Sequence, residues 1–329
     1  MKKYHVTLLV LLAMAAAITV GCGVSAKKTN PTFTKVPFIS NRTVSPATTM
    51  FLMNLDGTGA AGIQTNNGSD WTYSPSTSAD LKVVAFASDS EIWVTNTNGA
   101  TPVQVTNNIT NNFYSFYVRV SPNGSKLLYS LYNGNHYDIH IMNPDGTGDL
   151  DLTTTPPANM TDCYDGTFSA DSSQIVFSCE GSETSGIYTM KADGTGSVTT
   201  VYTQSGFVDG AMFTPDGTKV LFVNFEDGPS AAIARRNLKA LAHHTARPKA
   251  AVPAPDSTVG IDSVNLDGSN LTVVVANVYE GEILNSTLFY TFYDSTLDLN
   301  QIYKSNLDGT NAVSLSDGTS SDWLAVTAD

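Results

Sequence analysis

The chain has 329 residues, with 17 basic against 30 acidic side chains and a formal net charge of −13. A body this acidic repels phosphate backbones, which excludes a nucleic-acid binder. Its length fits either two ordinary domains or one large all-β domain, so an internal period has to decide between them.

The first element is a processing segment, residues 1–21. Lys2 and Lys3 supply a charged start, residues 8–19 an apolar run too short for a comfortable permanent span, and Gly21 precedes Cys22. The stretch Thr19-Val20-Gly21-Cys22 resembles the lipobox of bacterial lipoproteins, although Thr19 stands where that motif usually has Leu. The resemblance implies cleavage before Cys22, acylation of that cysteine, and a flexible tether over residues 22–34. A plain signal peptide or an uncleaved anchor is the alternative. Loss of residues 1–21 removes two lysines and no acid, leaving 15 basic and 30 acidic side chains and a charge of −15. Gly23 follows where enteric lipoproteins retained in the inner membrane carry Asp, so the resemblance implies the outer membrane, facing the periplasm. Surface exposure stays open.

From residue 35 onward a period dominates. An apolar strand running into an Asx-Gly turn recurs at 50–57 (MFLMNLDG), 91–99 (EIWVTNTNG), 138–146 (DIHIMNPDG), 186–194 (GIYTMKADG), 260–268 (GIDSVNLDG) and 301–309 (QIYKSNLDG). Its glycines, 57, 99, 146, 194, 268 and 309, are spaced 42, 47, 48, 74 and 41 apart: six units, one enlarged. Most units are preceded by two strands around a tight polar turn, as in 116–129 (FYVRVSPNGSKLLY) and 209–222 (DGAMFTPDGTKVLF). Asx-Gly between β-branched or aromatic runs is a strong hairpin signal, because Gly accepts the positive φ the turn requires. Each unit is therefore a four-stranded antiparallel sheet.

These Ser/Thr-Pro-Asp/Asn-Gly turns and Ile-Tyr-x-Met-Asn-x-Asp-Gly-like strands resemble the WD40-like repeat of TolB-like six-bladed β-propellers. The resemblance covers residues 35–329. It implies an all-β propeller and a role near the outer membrane beside a peptidoglycan-associated partner. The α/β domain that precedes the propeller in TolB has no counterpart here, so only the fold carries over.

The ends of the chain complement each other. Residues 321–329 (SDWLAVTAD) match the innermost strand opened by 69–73 (SDWTY) and then stop, whereas 35–42, 50–55 and 62–65 supply second, third and fourth strands lacking a first. The carboxy-terminal strand is expected to close the amino-terminal blade and remove the open edges.

Within the ring, Cys163 and Cys179 are equidistant from a hairpin turn near Asp171 in the third complete blade. They are expected to face each other at bridging distance in an exported, oxidised protein, with two buried thiols as the alternative. The fourth complete blade carries an insertion at 228–257, acid-free from 228 to 255, with Arg235, Arg236, Lys239, Arg247 and Lys249. Arg235, Lys239 and His243 recur at helical spacing there. The segment reads as a basic arm for a partner, an anionic membrane or its own ring, or as a disordered loop.

Asp70, Asp165, Asp209, Glu282 and Asp322 stand near the starts of innermost strands, which line a propeller's channel. They form a candidate binding rim for a cation or basic peptide, or serve as turn and inter-blade acceptors. No Gly-x-Ser-x-Gly elbow occurs, so no catalytic residue is assigned. His136 and His140 flank Asp138 on a third strand, away from the channel, and read as a loop edge rather than a metal site. The run 145–149 (DGTGD) lacks the ligand spacing of a calcium loop. The expectation is thus a monomeric, non-enzymatic envelope scaffold without cofactor or metal that binds a protein or peptide. A carbohydrate-active lyase or hydrolase working through channel acids is the alternative.

Overall fold

The computed structural model describes residues 30–40, 49–63, 73–98, 100–225 and 259–324. They form six four-stranded antiparallel sheets. Five are built from consecutive strands. Blade 1 holds β4 (Tyr73–Thr77), β5 (Val84–Ser88), β6 (Glu91–Thr95) and β7 (Val103–Gln104). Blade 2 holds β8 (Tyr114–Val120), β9 (Leu127–Tyr132), β10 (Tyr137–Met142) and β11 (Leu150–Asp151). Blade 3 holds β12 (Met160–Phe168), β13 (Gln174–Gly181), β14 (Ser185–Lys191) and β15 (Thr199–Gln204). Blade 4 holds β16 (Phe207–Phe213), β17 (Lys219–Phe225), β18 (Val259–Asn265) and β19 (Thr272–Ala276), and blade 5 holds β20 (Val278–Leu284), β21 (Thr287–Asp294), β22 (Leu299–Ser305) and β23 (Val313–Ser314).

The sixth blade joins the two ends. β24 (Asp322–Trp323) pairs with β1 (Lys35–Ser40) through Ile39↔Trp323 and Ser40↔Asp322, and β1 continues into β2 (Thr49–Asn54) and β3 (Ala61–Gly62). The expected closure is therefore present, with the fourth strand starting one residue earlier than 62. The seam is apolar: Val36, Phe38, Phe51 and Met53 pack with Leu284, Phe289, Ile302 and Leu324 across the junction with blade 5. Among the described residues no helix is long and apolar enough to cross a membrane.

The repeat turns are built by side chains that bond their own backbone. In each of 56–58, 145–147, 193–195 and 308–310 the Asp Oδ1 accepts both the backbone N–H and the hydroxyl of the Thr two residues on. The following glycine then does two things at once. Gly309 has φ +79°, and a Cβ there would lie 2.2 Å from the Val274 carbonyl oxygen of the preceding blade. The period read from the sequence is thus also the spacing of blade-to-blade contacts.

Cys163 and Cys179 are register partners in β12 and β13 and form a disulfide, with Cα atoms 4.1 Å apart. The bridge lies in a core shared with Leu128 and Ile139 of blade 2. It closes a loop with a sequence separation of 16, which limits the unfolded chain by about 3 kcal/mol. The double change of Cys163 and Cys179 to Ala is expected to lower stability in guanidinium by about that amount, and unchanged midpoints would show the bridge to be idle.

Candidate functional site

In this antiparallel order the innermost strands start on one face of the ring, the upper face. The turns joining second to third strands lie on the same face. Turns joining first to second and third to fourth strands lie on the lower face.

Five innermost strands carry a register shift, β20 between Val278 and Gly281, and the other four share a residue of positive φ at it. Those four shifts lie between Tyr73 and Ser76, Phe116 and Arg119, Tyr164 and Thr167, and Asp209 and Met212. At these bulges Ser74, Tyr117, Asp165 and Gly210 take positive φ, 54°, 49°, 46° and 58°. A bulge sets two residues against one, so it re-aims the side chains beyond it. One consequence is Arg119, the single arginine among the described residues, whose Nη2 lies 3.6 Å from Asp165 Oδ1 while Nη1 donates to Ser74 Oγ at 3.1 Å.

Arg119 organises the acids around it. Asp165 is buried, and its Oδ1 accepts no hydrogen bond among the described residues, the ion pair at 3.6 Å being its counterweight. Burial pushes the Asp165 carboxyl above its ordinary range, and Arg119 opposes that rise. Asp209 is pushed well above, first by burial and then by the charge of Asp165, although it accepts the Gly210 N–H at 2.7 Å. Burial raises Glu282 to about 7, again against Arg119. These acids belong to one electrostatic unit in which burial favours the protonated forms and Arg119 opposes it.

The remaining rim candidates separate from this unit. Asp322 accepts a hydrogen bond from Ser40 Oγ at 2.6 Å and is buried, so it staples the closing strand. Asp70 lies outside the described residues, as do Cys22 and the insertion residues Arg235, Arg236, Lys239, His243 and Arg247. The ends of that insertion are placed: Phe225 and Val259 are register partners, so the segment leaves and returns on the upper face.

Around the mouth, Phe116, Tyr132, Tyr137, Tyr164, Phe207 and Phe225 pack together on the upper side of blades 2 to 4. The second-to-third turns of blades 1, 3 and 5 expose Asp89, Glu183 and Asp298 there. Asp162 and Glu180 lie at the same level, and among the described residues this face has no lysine or arginine. His136 pairs with Asp138 at 3.1 Å, whereas His140 turns to Asp149 at 3.3 Å. No group of three or more metal-ligating side chains occurs among the described residues.

Sequence reasoning missed Arg119 and the buried Glu280. Glu280 Oε1 accepts the backbone N–H of Leu324 at 3.0 Å and also the Thr291 hydroxyl, gripping the closing strand from blade 5. An arginine in the otherwise apolar alternation FYVRV was the one available signal for the first. For Glu280 there was none, since its partner comes from the far end of the chain.

No curated protein matches the sequence. Among solved structures the chain is similar to TolB from Acinetobacter baumannii, with 15% identity and a TM-score of 0.63 over 88% of this chain and 65% of that one. It is also similar to a putative TolB from Agrobacterium tumefaciens, with 15% identity and a TM-score of 0.58 over 88% and 97% of the two chains. A chain of a nidogen/laminin complex gives 11% identity and a TM-score of 0.60 over 85% and 91%. At such identities these likenesses concern the fold, and the chain spans 65% of the Acinetobacter protein's length. The pattern of the TolB beta propeller domain matches residues 28–276, most of the chain, and the protein belongs to that family.

Proposed function

We propose that the protein is a non-enzymatic envelope scaffold, anchored through an acylated Cys22 at the outer membrane, that binds a protein or peptide partner on its upper face. The carrying observation is the charge of that face. Asp89, Glu183 and Asp298 are exposed on three second-to-third turns of that face, beside the aromatic cluster that includes Phe116, Tyr132 and Phe225. Such a surface attracts a basic segment and steers its approach, and the partly buried Phe116, Tyr132 and Phe225 add apolar contact area. The basic insertion 228–257 leaves from the same face and is the second candidate for partner contact. A TolB-like fold suits a scaffold role, because the ring holds its upper loops on a rigid frame.

The test is affinity capture from the native envelope, read by mass spectrometry. A triple variant, Asp89→Lys with Glu183→Lys and Asp298→Lys, changes exposed turns only. It is expected to lose captured partner about tenfold, the size of a loss of 1.4 kcal/mol, and to flatten the salt dependence. A second variant lacking 228–255 is expected to weaken capture while melting normally. Equal capture by all three proteins would sink the binding-face reading.

The channel unit favours a second reading, a carbohydrate-active lyase or hydrolase. Glu282, raised to about 7, has the protonation state a general acid needs, and Arg119 beside Asp165 offers an anion contact. Turnover of acidic polysaccharides that disappears in Glu282→Gln would establish it. No turnover across a polysaccharide panel would leave the scaffold reading in place.

A further inference from the structure

Asp165 stands apart from the other buried acids of the ring. Asp322 is held by Ser40 Oγ at 2.6 Å, Asp262 by the Asn224 amide at 2.7 Å, Glu91 by the Ile109 N–H at 2.8 Å and Glu280 by the Leu324 N–H at 3.0 Å. The Asp165 carboxylate, in a residue only 8% exposed, accepts no hydrogen bond among the described residues. Arg119 Nη2 lies 3.6 Å from its Oδ1, beyond hydrogen-bond reach, while Arg119 Nη1 donates to Ser74 Oγ and to the Val118 carbonyl. A buried carboxylate without donors is rare in a folded chain and points to a bound group that supplies them.

The other oxygen of Asp165 looks into a gap left by a glycine. Ser74, Tyr117, Asp165 and Gly210 hold matching bulge positions in blades 1 to 4, all with φ between 46° and 58°. Three blades carry a side chain in that conformation, so the backbone alone does not require glycine in the fourth. A Cβ on Gly210 would lie 3.8 Å from Asp165 Oδ2 and 3.3 Å from Val223 Cγ2. Glycine therefore keeps space open beside Asp165 and next to Asp209, whose Oδ1 accepts the Gly210 N–H at 2.7 Å. Arg119, Asp209 and Gly210 are partly exposed although they lie on innermost strands, so the channel reaches this gap. Asp165 thus turns Oδ1 towards Arg119 and Oδ2 towards open space beside a second carboxylate.

We propose that the gap at Gly210 is a binding site for a guanidinium or ammonium group, which enters through the channel and donates to Asp165 Oδ2 and to the Asp209 carboxylate. The proposal does not rest on the acidic turns of the upper face. Charge selects the class of ligand: Arg119 balances one of the two carboxylates, and the second is left for the incoming cation. A metal ion fits less well, since it needs several oxygens around one point and no group of three ligating side chains occurs among the described residues. A guanidinium or ammonium carries several directed donors and can bond two carboxylates at once. Burial raises both carboxyls, and the charge of Asp165 raises Asp209 further, so the bound cation takes the place of protons on these oxygens.

Calorimetric titration of the purified protein with agmatine, which carries a guanidinium at one end and an ammonium at the other, tests the site. Saturable one-to-one binding is expected at about millimolar concentration or below. Asp209→Asn removes charge, and Gly210→Asn fills the gap with a residue that tolerates positive φ. Each is expected to weaken binding about tenfold or more, and either decides the question alone if the other fails to melt cooperatively. A capped peptide with one central arginine separates the two sources of such a group: binding tighter than agmatine assigns the site to a partner's side chain, weaker binding assigns it to a free amine. No binding of agmatine or peptide overturns the site, as does an affinity that both variants leave unchanged. Binding of calcium ions or glucuronate in place of agmatine also overturns it, by assigning the acids to a metal or a sugar.

Discussion

Removal of residues 321–329 is expected to abolish the cooperative thermal transition. The deletion takes away β24, and with it the pairs Ile39↔Trp323 and Ser40↔Asp322 that give β1 its inner neighbour. It also strands buried polar groups on both sides of the seam. Ser40 Oγ loses the Asp322 carboxylate, and Gln301 Nε2 loses the Ser320-to-Asp322 turn that orders its acceptor, the Ser320 carbonyl at 2.9 Å. Glu280, 7% exposed, loses the Leu324 N–H. Each lost hydrogen bond costs about 0.5–1.5 kcal/mol, and more when a charged group is involved, so these losses together with the two β24 pairs take a large share of a domain's stability. Leu324, 3% exposed, adds its apolar contacts with Val36 and Phe289 to the deficit. Differential scanning calorimetry should show one sharp transition in the full chain and a broad, low-enthalpy trace in the truncated one. A sharp transition within a few degrees of the original would remove the closing strand from the account. The single change Glu280→Ala is a milder version, expected to lower the midpoint while leaving the transition cooperative.

The parts of this architecture that were legible in the sequence are those fixed by local chemistry. The Asp-Gly-Thr turns announce themselves because one carboxylate satisfies two donors within two residues, and because the glycine needs positive φ. Register in a hairpin follows from its turn, which is why Cys163 and Cys179 could be paired by their distance from Asp171. The complementary chain ends were legible because an innermost strand without partners and three strands without an innermost one both stand out against a fixed period. The channel was much less legible. A sequence offers inward and outward positions only by alternation, and the bulges at Tyr117, Asp165 and Gly210 shift that alternation within the strand. Arg119 therefore reaches the acids from a position that simple alternation gives no reason to choose. Asp322 shows the converse: its place near a strand start is as read, but a serine 282 residues away in sequence takes its carboxylate.

Stability is expected to fall as pH rises from about 5 to 8, the reverse of the trend set by most paired carboxylates. The sign follows from which state binds more protons. Asp209, Asp165, Asp138 and Glu282 have native values raised by burial, so over the interval between their unfolded and folded values the native protein holds protons that the unfolded chain has released. Unfolding releases them, and higher pH favours it. Glu282 alone moves from 4.5 to about 7, which caps its share at roughly 3 kcal/mol between those limits. Contact with channel water reduces that figure. The turn aspartates work the other way. Asp56, Asp80, Asp145, Asp193, Asp216, Asp267 and Asp308 are lowered by the Thr, Ser or Lys groups that bond them, Asp80 to about 2. Their contribution is complete above the unfolded value of 3.8 and is lost as pH drops through the folded values. The two sets place the stability maximum between about pH 4 and 5, with declines on both sides. Guanidinium titrations at pH 5 and pH 8 measure the upper decline. Asp209→Asn removes a carboxyl that burial and the charge of Asp165 raise well above its ordinary value, so it should be nearly neutral at pH 5, stabilising at pH 8, and should leave a visibly flatter profile. A variant that instead destabilises equally at both values would mean that the Asp209 carboxyl is held ionised by its neighbours, and that the proton of the channel unit resides elsewhere.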